Sequence, residues 1–216
     1  MYLTIKPFLV FVALGVSFGL FFVYAKKLVD LMLAAKGAGP ALGNTPARIG
    51  AVLQDVILQG RVRRKKAPGL AHSLIFWGFI VITIGTAEMI VEGLFHGVNL
   101  MLLGTSVFGV YNVAADFMTL AVLSGVAFGF FRRLVLKPKY LATGRDALLV
   151  LTITAALMIS LFLMNAFRVA GSPELYADFF PLSSRIWLYT LQGVSPESAF
   201  WGQEAFYWMH LGLVLG

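Results

Sequence analysis

The chain of 216 residues contains no cysteine. That excludes disulfides, thiolate-held iron–sulfur clusters and cysteine-based zinc sites within these residues. Any metal must be held by His, Met or oxygen ligands, and His itself is scarce, with 3 residues. Charge is scarce too: Asp, Glu, Lys and Arg make up 12% of the chain against 59% hydrophobic residues, and mean hydropathy is +0.86. Soluble domains carry about 25% charged residues, so this composition is that of an integral membrane protein. Acidic residues are the rarer sign, 10 against 17 basic ones, which leaves a net charge of +7. No internal repeat is visible of the kind that pairs the halves of a transporter.

Long apolar runs are what the chain has in quantity. A hydrocarbon core about 30 Å thick needs about 20 apolar residues in a helix, and runs of that order cover 8–25, 69–95, 110–131 and 147–167. A fifth, "AFYWMHLGLVLG" from Ala205, reaches Gly216 after 12 residues, a rise of about 18 Å. It is therefore expected to be a helix cut short, in the N-terminal piece of a longer protein. The first run exceeds the roughly 7–15 residues of a signal-peptide core and no A-x-A site follows it, so it reads as a retained helix. The expected fold is all-α: a polytopic membrane helix bundle of five transmembrane helices, the fifth truncated, forming one membrane domain over 1–216.

The basic residues set its orientation. Of the 17 lysines and arginines, nine lie between Lys26 and Lys66 and five between Arg132 and Arg145. The positive-inside rule makes these two loops cytoplasmic, and places the N-terminus and the loops at 96–108 and 169–204 outside. A pI near 9.8 would ordinarily raise nucleic-acid binding, but the charge sits on juxtamembrane loops with few aromatics, so topology accounts for it. In the first loop, "TPARIGAVLQDVILQG" offers Thr45 as N-cap, Pro46 at the first helical position, and Ile49, Val52, Leu53, Val56 and Ile57 on one stripe. A short amphipathic helix on the inner surface is expected there. The following "RVRRKK" suits either anionic lipid headgroups or the docking of a soluble acidic partner. Outside, "SPELYADFF" and "SPESAFWGQ" carry helix-start signals. Gly15 with Gly19, and Gly125 with Gly129, repeat every four residues as helix-contact positions; Gly78 and Gly85 share one face of the second helix.

Polar groups inside hydrocarbon are costly, so each needs a reason. His72 falls about one turn inside the cytoplasmic end of the second helix. His210 falls about 8 Å below the outer start of the fifth. Two imidazoles on different helices of an apolar bundle are what bis-histidine haem ligation requires; each alone is equally well a hydrogen-bonded interfacial residue. Their depths differ by about 15–20 Å, so they do not share one iron. Asp116 lies about two turns below the outer end of the third helix, with Asn112 one turn above it. It either pairs with Arg168 or serves a quinone or proton site, and Glu88 carries the same two readings.

Several segments carry a resemblance. "LAHSLIFWGFIVITIGT" opening the second helix, "FFRRLVLKPKYL" after the third and "FYWMHLGLVLG" in the fifth resemble the cytochrome b membrane domain of the nitrate reductase gamma-subunit type. More closely, they resemble its version fused to a cytoplasmic iron–sulfur domain related to heterodisulfide reductase, as in membrane-bound electron-transfer-flavoprotein:quinone oxidoreductases. The resemblance covers nearly the whole chain and is most specific in the second helix.

It implies b-type haem with His72 and His210 as axial ligands, Gly78 and Gly85 as cofactor-side positions, and a further fifth-helix ligand beyond Gly216. Dihaem members carry a second His where this chain has Ile82; His96 substitutes only if the second helix bends or ends early. The implied partners are menaquinone or ubiquinone as substrate, a cytoplasmic domain holding 4Fe-4S clusters, and an electron-transfer flavoprotein. The implied setting is a bacterial or archaeal cytoplasmic membrane, as part of a quinone-linked oxidoreductase. The contrasting reading is a cofactor-free membrane anchor or small transporter.

Overall fold

The computed structural model describes residues 2–35, 44–64, 66–139 and 144–216. Lys36 and Lys65 of the basic loop, and Tyr140 and Leu141 of the motif after the third apolar run, lie outside the described residues. The described residues form α1 (Tyr2–Ala34), α2 (Thr45–Val52), α3 (Lys66–Leu94), α4 (Thr105–Phe131), α5 (Arg145–Gly171), α6 (Pro173–Tyr176), α7 (Pro181–Ile186) and α8 (Pro196–Leu215), with no strand among them. Four of these helices are long and apolar enough to cross a membrane: α1, α3, α4 with its extension to Leu136, and α5.

The expected fifth crossing, α8, is a 20-residue helix outside that group of four. It starts well before Ala205. The Ser195 hydroxyl accepts from the Ser198 amide at 3.2 Å, Pro196 takes the first turn and Glu197 sits near the positive helix end. Glu204 does not interrupt it, because Lys6 Nζ stands 2.7 Å from one carboxylate oxygen and the Tyr2 hydroxyl donates to the other at 2.5 Å. Both side chains of the Lys6–Glu204 pair are largely buried, at 13% and 8% exposure. The hydropathy of this segment is therefore a poor guide to its structure: its charge is cancelled from α1.

The bundle is built on α5 packed along α8 and α3 packed along α4, with α4 against α5. Small residues allow the second of these approaches. At Gly78 any Cβ would collide with the Val122 side chain, and at Gly125 it would meet the Ala71 carbonyl oxygen at 2.9 Å. Val122 and Val126 are buried beside Ile82 and Met158. The pair in α1 behaves differently from expectation. Gly15 and Gly19 face nothing within 4 Å, since α1 buries only Val10, against Met89, Met164, Tyr207 and Leu211. Leu14 packs partly against that cluster, and most of the other apolar side chains of α1 stay open, as a lipid-facing helix requires.

The segment between α5 and α8 folds back over the end of the bundle. Phe108, Val169 and Phe180 form a small core there with Tyr176, Phe179 and Trp187 around it. The start signal at Ser172 yields only the single turn of α6, without a side-chain cap. In α2 the cap is one residue earlier than expected. Asn44, at φ 56°, accepts from the Ala47 amide at 3.3 Å, which moves Thr45 inside the helix and Pro46 to its second position. Its apolar stripe Ile49, Val52 and Leu53 is exposed, which suits a surface-lying helix.

Gly78→Val should overpack the α3–α4 seam and cost about 1–3 kcal/mol, whereas Gly15→Val should leave stability unchanged. Thermal unfolding of the two variants in one detergent measures the contrast; equal losses would show that α1 packs as tightly as α3.

Candidate functional site

His210 is 1% exposed, deep in the α5–α8 seam. Its Nδ1 lies 3.1 Å from the Leu157 carbonyl oxygen and 2.9 Å from the Ser160 hydroxyl. A carbonyl only accepts, and the Ser160 hydroxyl already donates to that same carbonyl at 2.8 Å. We therefore assign the ring proton to Nδ1, which leaves the lone pair on Nε2. Nε2 has no hydrogen-bond partner among the described residues. Ser160 back-bonds one turn along α5 to the Leu157 carbonyl, which helps present this oxygen to the ring. His210 forms one wall of a cleft of about 260 Å³ with Ile82, Thr83 and Thr86 of α3 and Met158 of α5.

A ring whose Nδ1–H is tied to a backbone carbonyl is oriented as metal-bound histidines usually are. Among the described residues no three His, Asp or Glu side chains gather around one point. His210 thus offers one imidazole to the cleft.

His72 is elsewhere and differently placed. Ten residues separate it from Ile82 on α3, a rise of about 15 Å, so the two imidazoles stand at different levels. An axial ligand of a haem held in the bundle faces the interior, but His72 is exposed. The reason is rotational: the Ala71 carbonyl and Ile75 take the contact with Gly125 of α4, and His72, about 60° around the helix from Ile75, falls at the edge of that contact. His72 instead borders a cleft of about 140 Å³ with Arg132 and Arg133. His96 is exposed in the turn after α3, which ends at Leu94 and reverses through Gly97 at φ 84°. Gly78 and Gly85 do not line the His210 cleft: Gly78 abuts Val122 and Gly85 lies under the Tyr111 hydroxyl.

The acidic candidates serve the backbone. Asp116 is not paired with Arg168. It is 2% exposed and caps the first turn of α7, accepting from the Leu182 amide at 2.5 Å, the Ser183 amide at 3.1 Å and the Ser183 hydroxyl at 2.6 Å. Glu88 likewise accepts from the Leu100 amide at 2.7 Å, holding the 3₁₀ turn Leu100–Leu103. Arg168 pairs with Glu92 at 3.2 Å.

Glu88, Glu92, Tyr111, Asn112, Asn165 and Arg168 surround a cavity of about 30 Å³. That holds one or two waters and is too small for a quinone ring. Asn112 donates to the Phe108 carbonyl at 2.8 Å. Sequence reasoning missed Ser160, Glu92 and the Lys6–Glu204 pair; the available signal was a hydroxyl and a second carboxylate within apolar helices.

No protein-family profile and no solved structure matches the chain. The Bacillus subtilis (strain 168) protein described as "Probable iron-sulfur-binding oxidoreductase FadF" is similar at 29% identity over 168 residues, 78% of this chain. The match spans 23% of that protein's length. The similarity relates the chain to an oxidoreductase, through a region that here is a helical bundle of membrane character.

Asp116→Ala should strip the cap from α7 and cost about 0.5–2 kcal/mol, with the half-buried Leu182 amide and the buried Ser183 amide left unpaired. Limited proteolysis in detergent should then cut within 172–195 sooner than in the wild type. Asp116→Asn, which keeps one acceptor oxygen, should be milder; equal cleavage in all three proteins would mean the cap carries no stability.

Proposed function

We propose that the chain is the membrane electron-transfer domain of an oxidoreductase, passing electrons between a cytoplasmic iron–sulfur or flavoprotein partner and the quinone pool through b-type haem. The observation that carries this reading is His210, whose Nδ1–H is committed to the Leu157 carbonyl while Nε2 is left as a lone-pair donor beside an apolar cleft. A haem bound there supplies reversible one-electron redox chemistry.

The donor set fits such a group in part. One neutral imidazole is ready, and the wall is apolar apart from Thr83 and Thr86, whose hydroxyls bond back to their own helix at Phe79 and Ile82. Ile82, buried on the facing side, offers no ligand. The cleft of about 260 Å³ is below the roughly 300–1,000 Å³ of pockets that enclose small ligands, so α3 and α8 must part to admit a whole macrocycle.

The Bacillus relative, described as iron-sulfur-binding, supports the redox reading. With no cysteine among these 216 residues, a thiolate-held cluster belongs to a further domain or partner. In this reading α8 is the fifth crossing, the N-terminus is outside, and the basic end faces the cytoplasm, where an electron-transfer flavoprotein is the proposed donor or acceptor. Menaquinone or ubiquinone reaches the bundle from the bilayer.

A reduced-minus-oxidised spectrum of protein purified from haem-replete cells should show a b-type band. His210→Ala should abolish it, His96→Ala should leave it intact, and Ser160→Ala should weaken haem retention about 10–100-fold by loosening the ring. A folded wild-type protein with no such band would favour the cofactor-free anchor instead.

A further inference from the structure

We propose that the cleft beside His72 binds the phosphodiester headgroup of an anionic phospholipid. It lies between the start of α3, the end of α4 and the facing side of α5. His72, Arg132 and Arg133 line it together with the apolar side chains of Ile75, Phe128 and Leu151. Among the described residues no Asp or Glu lines it. Both arginines are half-buried and hold other contacts as well. A guanidinium has five donors in a planar fork, so one that already has a partner keeps donors for a phosphate, which it engages bidentately.

Two further features fit a lipid better than free phosphate. Beside the cations the cleft is lined by Ile75, Phe128 and Leu151, which an acyl chain or glycerol backbone covers and an inorganic ion leaves bare. The site also sits where the two most basic stretches of the chain converge. The turn Val62–Arg64 docks on the first turn of α3, where a Cβ at Gly69 would lie 2.5 Å from the Val62 carbonyl oxygen. This brings Arg63 and Arg64, both exposed, to the same end of the bundle as His72. Basic pockets between membrane helices are where acidic headgroups bind specifically rather than as a diffuse cloud.

The inference rests on the membrane reading of the chain and not on haem. It gives His72 a role its exposure allows: an imidazole donating to a phosphate oxygen at the membrane surface.

The protein purified in a neutral detergent is titrated with phosphatidylglycerol, with phosphatidylcholine and with inorganic phosphate, reading thermal stability and, by native mass spectrometry, retained lipid. Phosphatidylglycerol should raise Tm by several degrees and remain bound; the other two should do neither. Arg132→Gln/Arg133→Gln should lose both effects and His72→Gln part of them. Lys26→Gln, whose lysine pairs with Asp30 on exposed α1, should keep them. Should the double variant unfold, Arg132→Lys/Arg133→Lys should retain lipid more weakly than the wild type, because ammonium lacks the fork. Equal lipid retention by wild type and the Gln or Lys double variant overturns the proposal, as does an equal Tm rise with inorganic phosphate. Loss of a b-type band in His72→Ala, with His210 intact, would also overturn it by making His72 an iron ligand. Absence of haem from the wild type would leave it untouched.

Discussion

Surrounded by hydrocarbon, a backbone amide or a carboxylate has no water to turn to and must find its partner inside the chain. That constraint accounts for the carboxylates held among the helices here. Asp116 supplies three acceptor contacts to the start of α7, Glu88 one to the turn after α3, and Lys6 neutralises Glu204 between α1 and α8. The Asp116 and Glu204 pairings join segments far apart in sequence. Breaking one leaves a buried polar group unpaired, at a cost of about 1–3 kcal/mol for a neutral group and more for a charge. The short helices between α5 and α8 can therefore fold back against the bundle only because a carboxylate from α4 is waiting for their amides.

Set apart from these, His210 and His72 stand in different surroundings. His210 is held by its Nδ1 alone, so its second nitrogen is the one strong side-chain donor that the cleft presents among the described residues. His72 stands about 15 Å away along the axis, outside the packed seam and beside two arginines. Polar groups at one end of the bundle thus serve structure, the middle level carries the candidate ligand, and the basic end carries the candidate anion site. Electron transfer to or from a docked partner and lipid anchoring can share that basic end, since both use its positive charge.

Much of this was legible beforehand. Composition and apolar runs located all four long helices, and the depth difference between His72 and His210 already separated them. What sequence could not show was rotation and long-range pairing. Whether His72 faces in or out depends on which neighbour meets Gly125, and that is a property of how α3 seats on α4. Asp116 seemed to need Arg168 because charges are easily matched on paper; its partners are backbone amides of Leu182 and Ser183, which every residue type presents alike. Likewise the start of α8 was placed too late because Glu204 reads as polar until Lys6, at the other end of the chain, cancels it. Gly15 and Gly19 repeat like a contact motif yet meet open space, whereas Gly125 and Gly129, with the same spacing, pack against Ile75 and Leu151.

Whether iron takes its imidazole from His210 is read most directly by pulsed EPR on the oxidised protein, purified after labelling its histidines with ¹⁵N. The expected result is a ¹⁵N coupling to a ferric haem centre in the wild type that is missing when position 210 is alanine and unchanged when position 96 is. A haem signal with the same histidine coupling in His210→Ala, or a folded wild-type protein with no ferric haem signal, would contradict the assignment.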